Sequence, residues 1–198
     1  MRCVIVLNGE KTCGFEFEKG DRIIACDAAY GYLKDIGITP DEIIGDFDSL
    51  GYVPEGAKRF PVEKDMTDGE LAVEAVLGKD YDEVVFIGFG GKREDHFLGN
   101  LSLLVKCVGR FKNCYAVTDR SIITVLDRGE HRFTIERGTV VSMFAFNDCL
   151  VEKSEGLKYP YDNTLLKNDS TLGISNVVVK ENVLIAIKKG FAFFIENR

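Results

Sequence analysis

Asp46 and Asp48 close the stretch "IIGDFDS", residues 43–49, directly after a pair of branched apolar residues suited to a buried strand. On an extended chain, residues two apart share a face, so both carboxylates point the same way. At ~4 Å and an effective dielectric near 20, two such charges repel by about 4 kcal/mol, which calls for a cation, a proton or a wide turn. Other acidic residues fall where apolar runs finish: Asp27 after "RIIAC" and Asp95 shortly past "EVVFIGF", while Asp68 stands at the first turn of a helical pattern. Three or four converging carboxylates without His or Cys form the hard-ligand environment that suits Mg²⁺, which keeps waters and takes its other oxygens from phosphates. Each also has a plainer reading. Asp68 favours a helix macrodipole, Asp95 is an N-cap, and Asp27 shapes the turn into "AAYGYL". Their shared position beyond the strand ends, where open α/β sheets bind ligands, is what independent caps would not need.

A second cluster is "FGGKREDHFLGN", residues 89–100. Gly90 and Gly91 follow a buried strand and precede a helix, so their backbone N–H groups can approach an anion while Lys92 and Arg93 supply charge. The plainer reading is a tight strand-to-helix turn with two solvated basic residues. His96 and Asn100 stand four apart on one helix face, placed either to orient a ligand or to hydrogen-bond each other.

The elements that must position these residues read as two textures. Up to about residue 118, "CVIVLN", "RIIACD", "DEIIGD", "EVVFIGF" and "NCYAVTD" read as strands alternating with helical patterns, which argues for a parallel α/β sheet. "LAVEAVL", 71–77, carries apolar residues at helical spacing behind a Thr67/Glu70 capping-box pattern. Phe97, Leu98, Leu101, Leu104 and Val105 make a second apolar stripe, with Asp95 at its expected N-cap. After about residue 120 the chain becomes β-rich runs divided by "ERG", "KEN" and "KKG". The expected fold class is therefore α/β: an N-terminal parallel domain over 1–122, then a small all-β sandwich over 123–198, with the boundary near 119–128.

The totals exclude several classes. Acidic residues exceed basic ones, giving a net charge of −7 in 198 residues, and no Lys/Arg run tracks a phosphate backbone, so nucleic acid is not an expected partner. The apolar start, "CVIVL", is shorter than a signal-peptide core, and nothing reaches the ~18 residues that span a bilayer. A soluble, cytoplasmic protein is expected. The six cysteines lack CxxC spacing and the two histidines, His96 and His131, are too few for a histidine-rich metal centre, so oxygen ligands are expected for any metal.

Taken together, "CDAAYGYL", "GITPDEIIGDFDS", "DMTDGELAV", "REDHFLGN", "GLKYPY" and "LGISN" resemble, in order over most of the chain, the thiamine pyrophosphokinase family. The resemblance implies transfer of a pyrophosphoryl group from ATP to the hydroxyethyl oxygen of thiamine, giving thiamine diphosphate and AMP. It further implies a Rossmann-like nucleotide-binding domain followed by a β-sandwich domain for thiamine binding and dimerisation, and a homodimer with active sites at the subunit interface. Carried onto matching positions, Asp46, Asp48 and Asp68 resemble Mg²⁺-binding carboxylates, with Asp95 nearby as a fourth catalytic position. Asn8, Asp27, Arg93 and His96 resemble ATP contacts, Tyr159 the ring that stacks on thiamine, and Ser175 and Asn176 the polar pair that helps hold the pyrimidine. Two departures stand out. Lys92 replaces a glycine and Glu94 an apolar residue ahead of Asp95-His96, and "DAAYGYL" carries Ala and Tyr where Gly, Ala and Asn are usual. Rival readings are a same-fold pyrophosphokinase for another hydroxymethyl heterocycle such as a pterin, a non-catalytic nucleotide or thiamine sensor, and a carboxylate-metal phosphatase with an Asp nucleophile.

Overall fold

A computed structural model describes residues 1–198 and divides into two compact units, Met1–Asp119 and Arg120–Arg198. In the first unit the elements run β1 (Arg2–Val6), β2 (Arg22–Cys26), α1 (Ala29–Asp35), β3 (Glu42–Gly45), β4 (Lys58–Arg59), α2 (Asp68–Val76), β5 (Glu83–Ile87), α3 (Glu94–Cys107) and β6 (Asn113–Val117). The strands pair in the order β6-β5-β1-β2-β3-β4, each neighbouring pair parallel. From β1 the chain builds β2, β3 and β4 toward one edge and then returns through α2 to place β5 and β6 on the other side of β1, so the order reverses between β1 and β5, the kind of switch point where a crevice opens beyond the carboxyl ends.

Apolar runs become central strands here because both faces are covered. Val4, Val6, Ile23, Ala25, Val85 and Ile87 form one buried cluster with Ala29 and Leu33 of α1. The alternate residues Cys3, Ile5, Ile24 and Phe86 are buried as well, as are Ala72, Val73 and Val76 of α2 and Leu104 of α3. Burying a side chain such as Ile5 or Phe86 contributes about 1.5–3 kcal/mol. Thr67 caps α2 as its sequence predicts, accepting from the Glu70 N–H at 3.2 Å, but Glu70 turns its carboxylate to Lys106 at 2.8 Å. For α3 the structure departs from expectation. The helix starts at Glu94, and Asp95 lies in its first turn, with Arg93 at the cap position making no side-chain cap bond. Two acidic residues beside the exposed N–H groups of a first turn suit the helix dipole without a capping bond.

The second unit contains no helix. Its strands are β7 (Ser121–Leu126), β8 (Gly129–Thr134), β9 (Val140–Ala145), β10 (Cys149–Glu155), β11 (Thr164–Leu166), β12 (Asn176–Val177), β13 (Asn182–Lys189) and β14 (Ala192–Asn197). Antiparallel pairing gives one group ordered β12-β9-β14-β7 and a separate sheet ordered β11-β10-β13-β8. Both contribute to one apolar core, Leu126, Met143 and Phe194 from the first and Val151, Leu166 and Ile185 from the second. The chain is thus mixed α/β, with a parallel sheet in one unit and a separate antiparallel sheet in the other. No helix is long and apolar enough to cross a membrane.

Candidate active site

A cleft of about 510 Å³ opens in the first unit beyond the carboxyl ends of its strands. Asn8 enters it after β1, Asp27 after β2, Asp46 and Asp48 after β3, and Lys92, Arg93 and His96 after β5, with Asp68 arriving at the start of α2. The loops after β1 and β5 are locked backbone to backbone at the switch point. Gly9 N–H donates to the Gly88 carbonyl at 2.9 Å and Glu10 N–H to the Gly90 carbonyl at 2.6 Å. A Cβ on Gly9 would lie 2.1 Å from the Gly88 oxygen, so no side chain fits there. This contact fixes Asn8, whose amide donates to Asp27 Oδ2 at 3.1 Å and accepts from Lys92 Nζ at 3.4 Å.

The two carboxylates of "GDFD" do not converge along an extended strand. β3 ends at Gly45, and Phe47 takes φ +64° with its ring in the core at 3 % exposure. A bulky residue rarely adopts this left-handed conformation, and burial of the ring holds it there. Asp27 is likewise left-handed, at φ +51°, and buried. Carboxylate oxygens of Asp27, Asp46 and Asp48 lie within 4.8 Å of one another. Asp27 Oδ1 is buried and receives no hydrogen bond. An unpartnered anionic oxygen removed from water is costly unless a cation meets it, so three oxygen donors with one orphan fit a hard divalent cation.

Asp68 stands slightly apart from that trio, across the ammonium of Lys64. Lys64 Nζ is 2.6 Å from Asp46 Oδ2 and 3.2 Å from Asp68 Oδ1, the second contact lacking a hydrogen-bonding angle. Both Lys64 and Asp46 are largely buried, at 15 % and 13 % side-chain exposure. The Lys64 hydrogen bond holds Asp46 below the usual carboxylate range. Burial pushes Asp68 above it, and Lys64 offsets only part of that while the Asp46 and Asp27 charges add to it. Burial alone would lower the Lys64 pKa, but its two carboxylate partners outweigh burial and raise it. Sequence reasoning missed Lys64; its spacing of four from Asp68 in "EKDMTD" was the available signal.

The remaining expected residues divide. Arg93 and His96 line the cleft, but Asp95 does not. Its side chain is 65 % exposed and grips Arg93 in two hydrogen bonds, 3.1 Å from Nε and 2.6 Å from Nη2, which with the His96 N–H lowers its pKa to about 2. Asn100 does not pair with His96; its amide donates to the Phe89 carbonyl at 2.7 Å and tethers the glycine loop.

In the second unit the two C-terminal motifs lie against each other. Lys158 N–H donates to the Val177 carbonyl at 2.8 Å, and Tyr161 Oη to the Gly173 carbonyl at 3.1 Å. Asn176 is buried, and its amide closes a reciprocal pair with the Tyr159 backbone, accepting at 3.0 Å and donating at 2.7 Å, while also accepting from Val177 N–H at 2.8 Å. Ser175 is left-handed at φ +61°, its N–H donating to Ser142 Oγ at 3.0 Å. Tyr159 itself projects outward, 56 % exposed, with Lys158 Nζ 5.3 Å from its ring centroid.

Comparison with known proteins matches both units. Residues 16–118 fit the family model described as the catalytic domain of thiamin pyrophosphokinase, and residues 128–191 fit its vitamin B1 binding domain. The thiamine pyrophosphokinase of Bacillus subtilis is 32 % identical over 187 residues, covering 88 % of this chain and 86 % of its own. The crystal structure of thiamine pyrophosphokinase from Bacillus subtilis superposes with a TM-score of 0.87 at 28 % identity, over 100 % of this chain and 99 % of that one. That of the Geobacillus thermodenitrificans enzyme gives 0.87 at 25 %, over 100 % and 98 %. With a carboxylate cleft in the first unit and the tied Tyr159 motifs in the second, the chain belongs to the thiamin pyrophosphokinase family and is a transferase of that kind.

Proposed function

We propose that the chain transfers the pyrophosphoryl group of ATP to the hydroxyethyl oxygen of thiamine, giving thiamine diphosphate and AMP. The observation that carries this reading is the Asp27, Asp46 and Asp48 trio, with its unpartnered buried oxygen, in one cleft with the cationic Lys92 and Arg93. The thiamine oxygen attacks the β-phosphorus, the bond from the bridging oxygen to that phosphorus breaks, and AMP leaves with the electron pair. The hydroxyl proton passes to a carboxylate of the cluster. No phospho-enzyme is required, so the residues act by positioning and by neutralising charge.

Bound Mg²⁺ would supply neutralisation of the phosphate oxygens, held by Asp46 and Asp48 with Asp27 and Asp68 completing the set. Asn8 orients Asp27 and, with Arg93 and His96, contacts ATP. Lys92 and Arg93 offset charge on the transferred or leaving group. Asp95 acts through Arg93, whose guanidinium it holds at the cleft rim. We read the second unit as a β-sandwich that binds thiamine and forms the homodimer, in a cytoplasmic enzyme. Tyr159 presents its ring to the thiazolium cation, a contact of about 0.5–2 kcal/mol, and the Lys158 ammonium beside that ring indicates a face hospitable to positive charge. Ser175 contacts the pyrimidine, while Asn176, with its amide spent on backbone groups, positions Tyr159.

The test is product identification. Purified protein with ATP, Mg²⁺ and thiamine is expected to form AMP and thiamine diphosphate in equal amounts; phosphate release independent of thiamine, or AMP formation only with a pterin acceptor, would overturn the reading.

A further inference from the structure

Lys64 belongs to none of the expected groups, yet it occupies the centre of the acidic cleft. Its ammonium takes Asp46 Oδ2 at 2.6 Å, one of the two oxygens open to a divalent cation at Asp46, and reaches across to Asp68 at 3.2 Å. The neighbouring Asp27 oxygen is left without a partner. One ammonium therefore balances part of a cluster of four carboxylates. It reaches them from residues 60–67, the loop between β4 and α2, on a four-carbon stem with freely turning donors. The same loop gives the cleft Val62, Met66 and Thr67, so an ammonium released from Asp46 remains inside the space where a polyphosphate would lie.

We propose that Lys64 is an internal counter-ion that competes with the divalent cation for Asp46 and Asp68, and that once displaced it turns its ammonium to the phosphates of the nucleotide. This rests on the reading of Asp46 as a metal ligand. Two cations on one carboxylate repel, so metal and ammonium weaken each other at Asp46. The ammonium then follows the only strong negative charge brought in, that of the nucleotide. Lys64 thereby offsets part of the negative charge of the metal-free cleft and makes metal and nucleotide binding favour one another.

The test measures Mn²⁺ binding to the full-length, nucleotide-free protein by the electron paramagnetic resonance of free Mn²⁺, and binding of the inert α,β-methylene analogue of ATP with Mg²⁺ by calorimetry. Lys64→Met is expected to tighten Mn²⁺ binding by about tenfold and weaken the Mg²⁺ analogue by about as much, within the range common for coupled sites. Lys64→Gln, which keeps a polar side chain, removes the charge with less risk to folding and is expected to behave alike. Lys64→Arg keeps the charge and is expected to bind Mn²⁺ as the wild type does. Wild-type binding of Mn²⁺ with unchanged or weaker binding in the neutral variants overturns the role of Lys64 and leaves the metal site standing. A wild type that binds no Mn²⁺ overturns both.

Discussion

In the cleft of the first unit the polar atoms are left wanting. Asp27 Oδ1 has no donor, Asp46 and Asp68 share one ammonium, and two left-handed residues hold the carboxylates in place. Around Tyr159 in the second unit the opposite holds: the Asn176 amide is spent on the Tyr159 and Val177 backbone, and what projects outward is an aromatic ring. The difference matches the ligands proposed for each. A metal polyphosphate supplies the charge that the cleft lacks, whereas an aromatic cation needs a ring face in a fixed place and brings its own charge. Polar residues in the first region should therefore act on turnover, and those in the second on stability or on thiamine affinity.

The largest effect expected is from Asp48→Asn, which should lower kcat by about 1,000-fold, ~4 kcal/mol in the barrier, with an unchanged circular dichroism spectrum. Steady-state AMP release checks it, and wild-type turnover would remove Asp48 from the chemistry. Asn176→Ala should instead destabilise the fold by about 3 kcal/mol, because three backbone groups lose their partner. Urea unfolding reads that loss, and a variant of full stability with failed thiamine binding would reverse its assignment from positioning to contact.

Arg2 and Asp21 mark the contrast from inside the first unit, since they are paired in full at 2.8 and 2.7 Å. Burial would raise the Asp21 pKa, but the Arg2 guanidinium and the Glu18 N–H together outweigh it and hold Asp21 below the usual range. Asp21→Asn should cost about 2 kcal/mol of stability near neutral pH, with turnover retained. A depressed folded pKa contributes stability above the unfolded value of about 3.9, lost as pH falls through the folded value. The gap between wild type and Asp21→Asn should accordingly close in acid unfolding. The smallest effect is that of Tyr159→Ala. Loss of about 1 kcal/mol of ring contact should raise the thiamine KM about fivefold and leave the ATP KM unchanged. Equal changes in both would count against a stacking role.

The strands of the first unit were legible because burial on both faces demands uninterrupted apolar runs, as in "CVIVL" and "EVVFI". Strand β4 was not, since its Lys58 and Arg59 are exposed at the sheet edge and carry no periodicity. Asp46 and Asp48 announced themselves by type and spacing, but the turn at Phe47 did not: its conformation depends on a core that the local sequence does not describe. Lys64 was hidden for a similar reason. A lysine in a polar loop reads as solvated, and only the fold places Asp46, eighteen residues earlier, within 2.6 Å of it. In the second unit "YPY" and "GISN" each looked like a turn, and their union through Asn176 is a tertiary fact.

Phe47, wedged between the two aspartates with its ring among core side chains, ties the ion affinity proposed for them to the condition of the apolar interior. Anything that loosens its seat, whether heat, mild denaturant or a methyl group removed from the surrounding core, lets the backbone relax out of its strained twist and spreads the carboxylates. On the proposed metal site, divalent-cation binding should therefore fail before the secondary structure does, so that ion affinity serves as an early thermometer of packing.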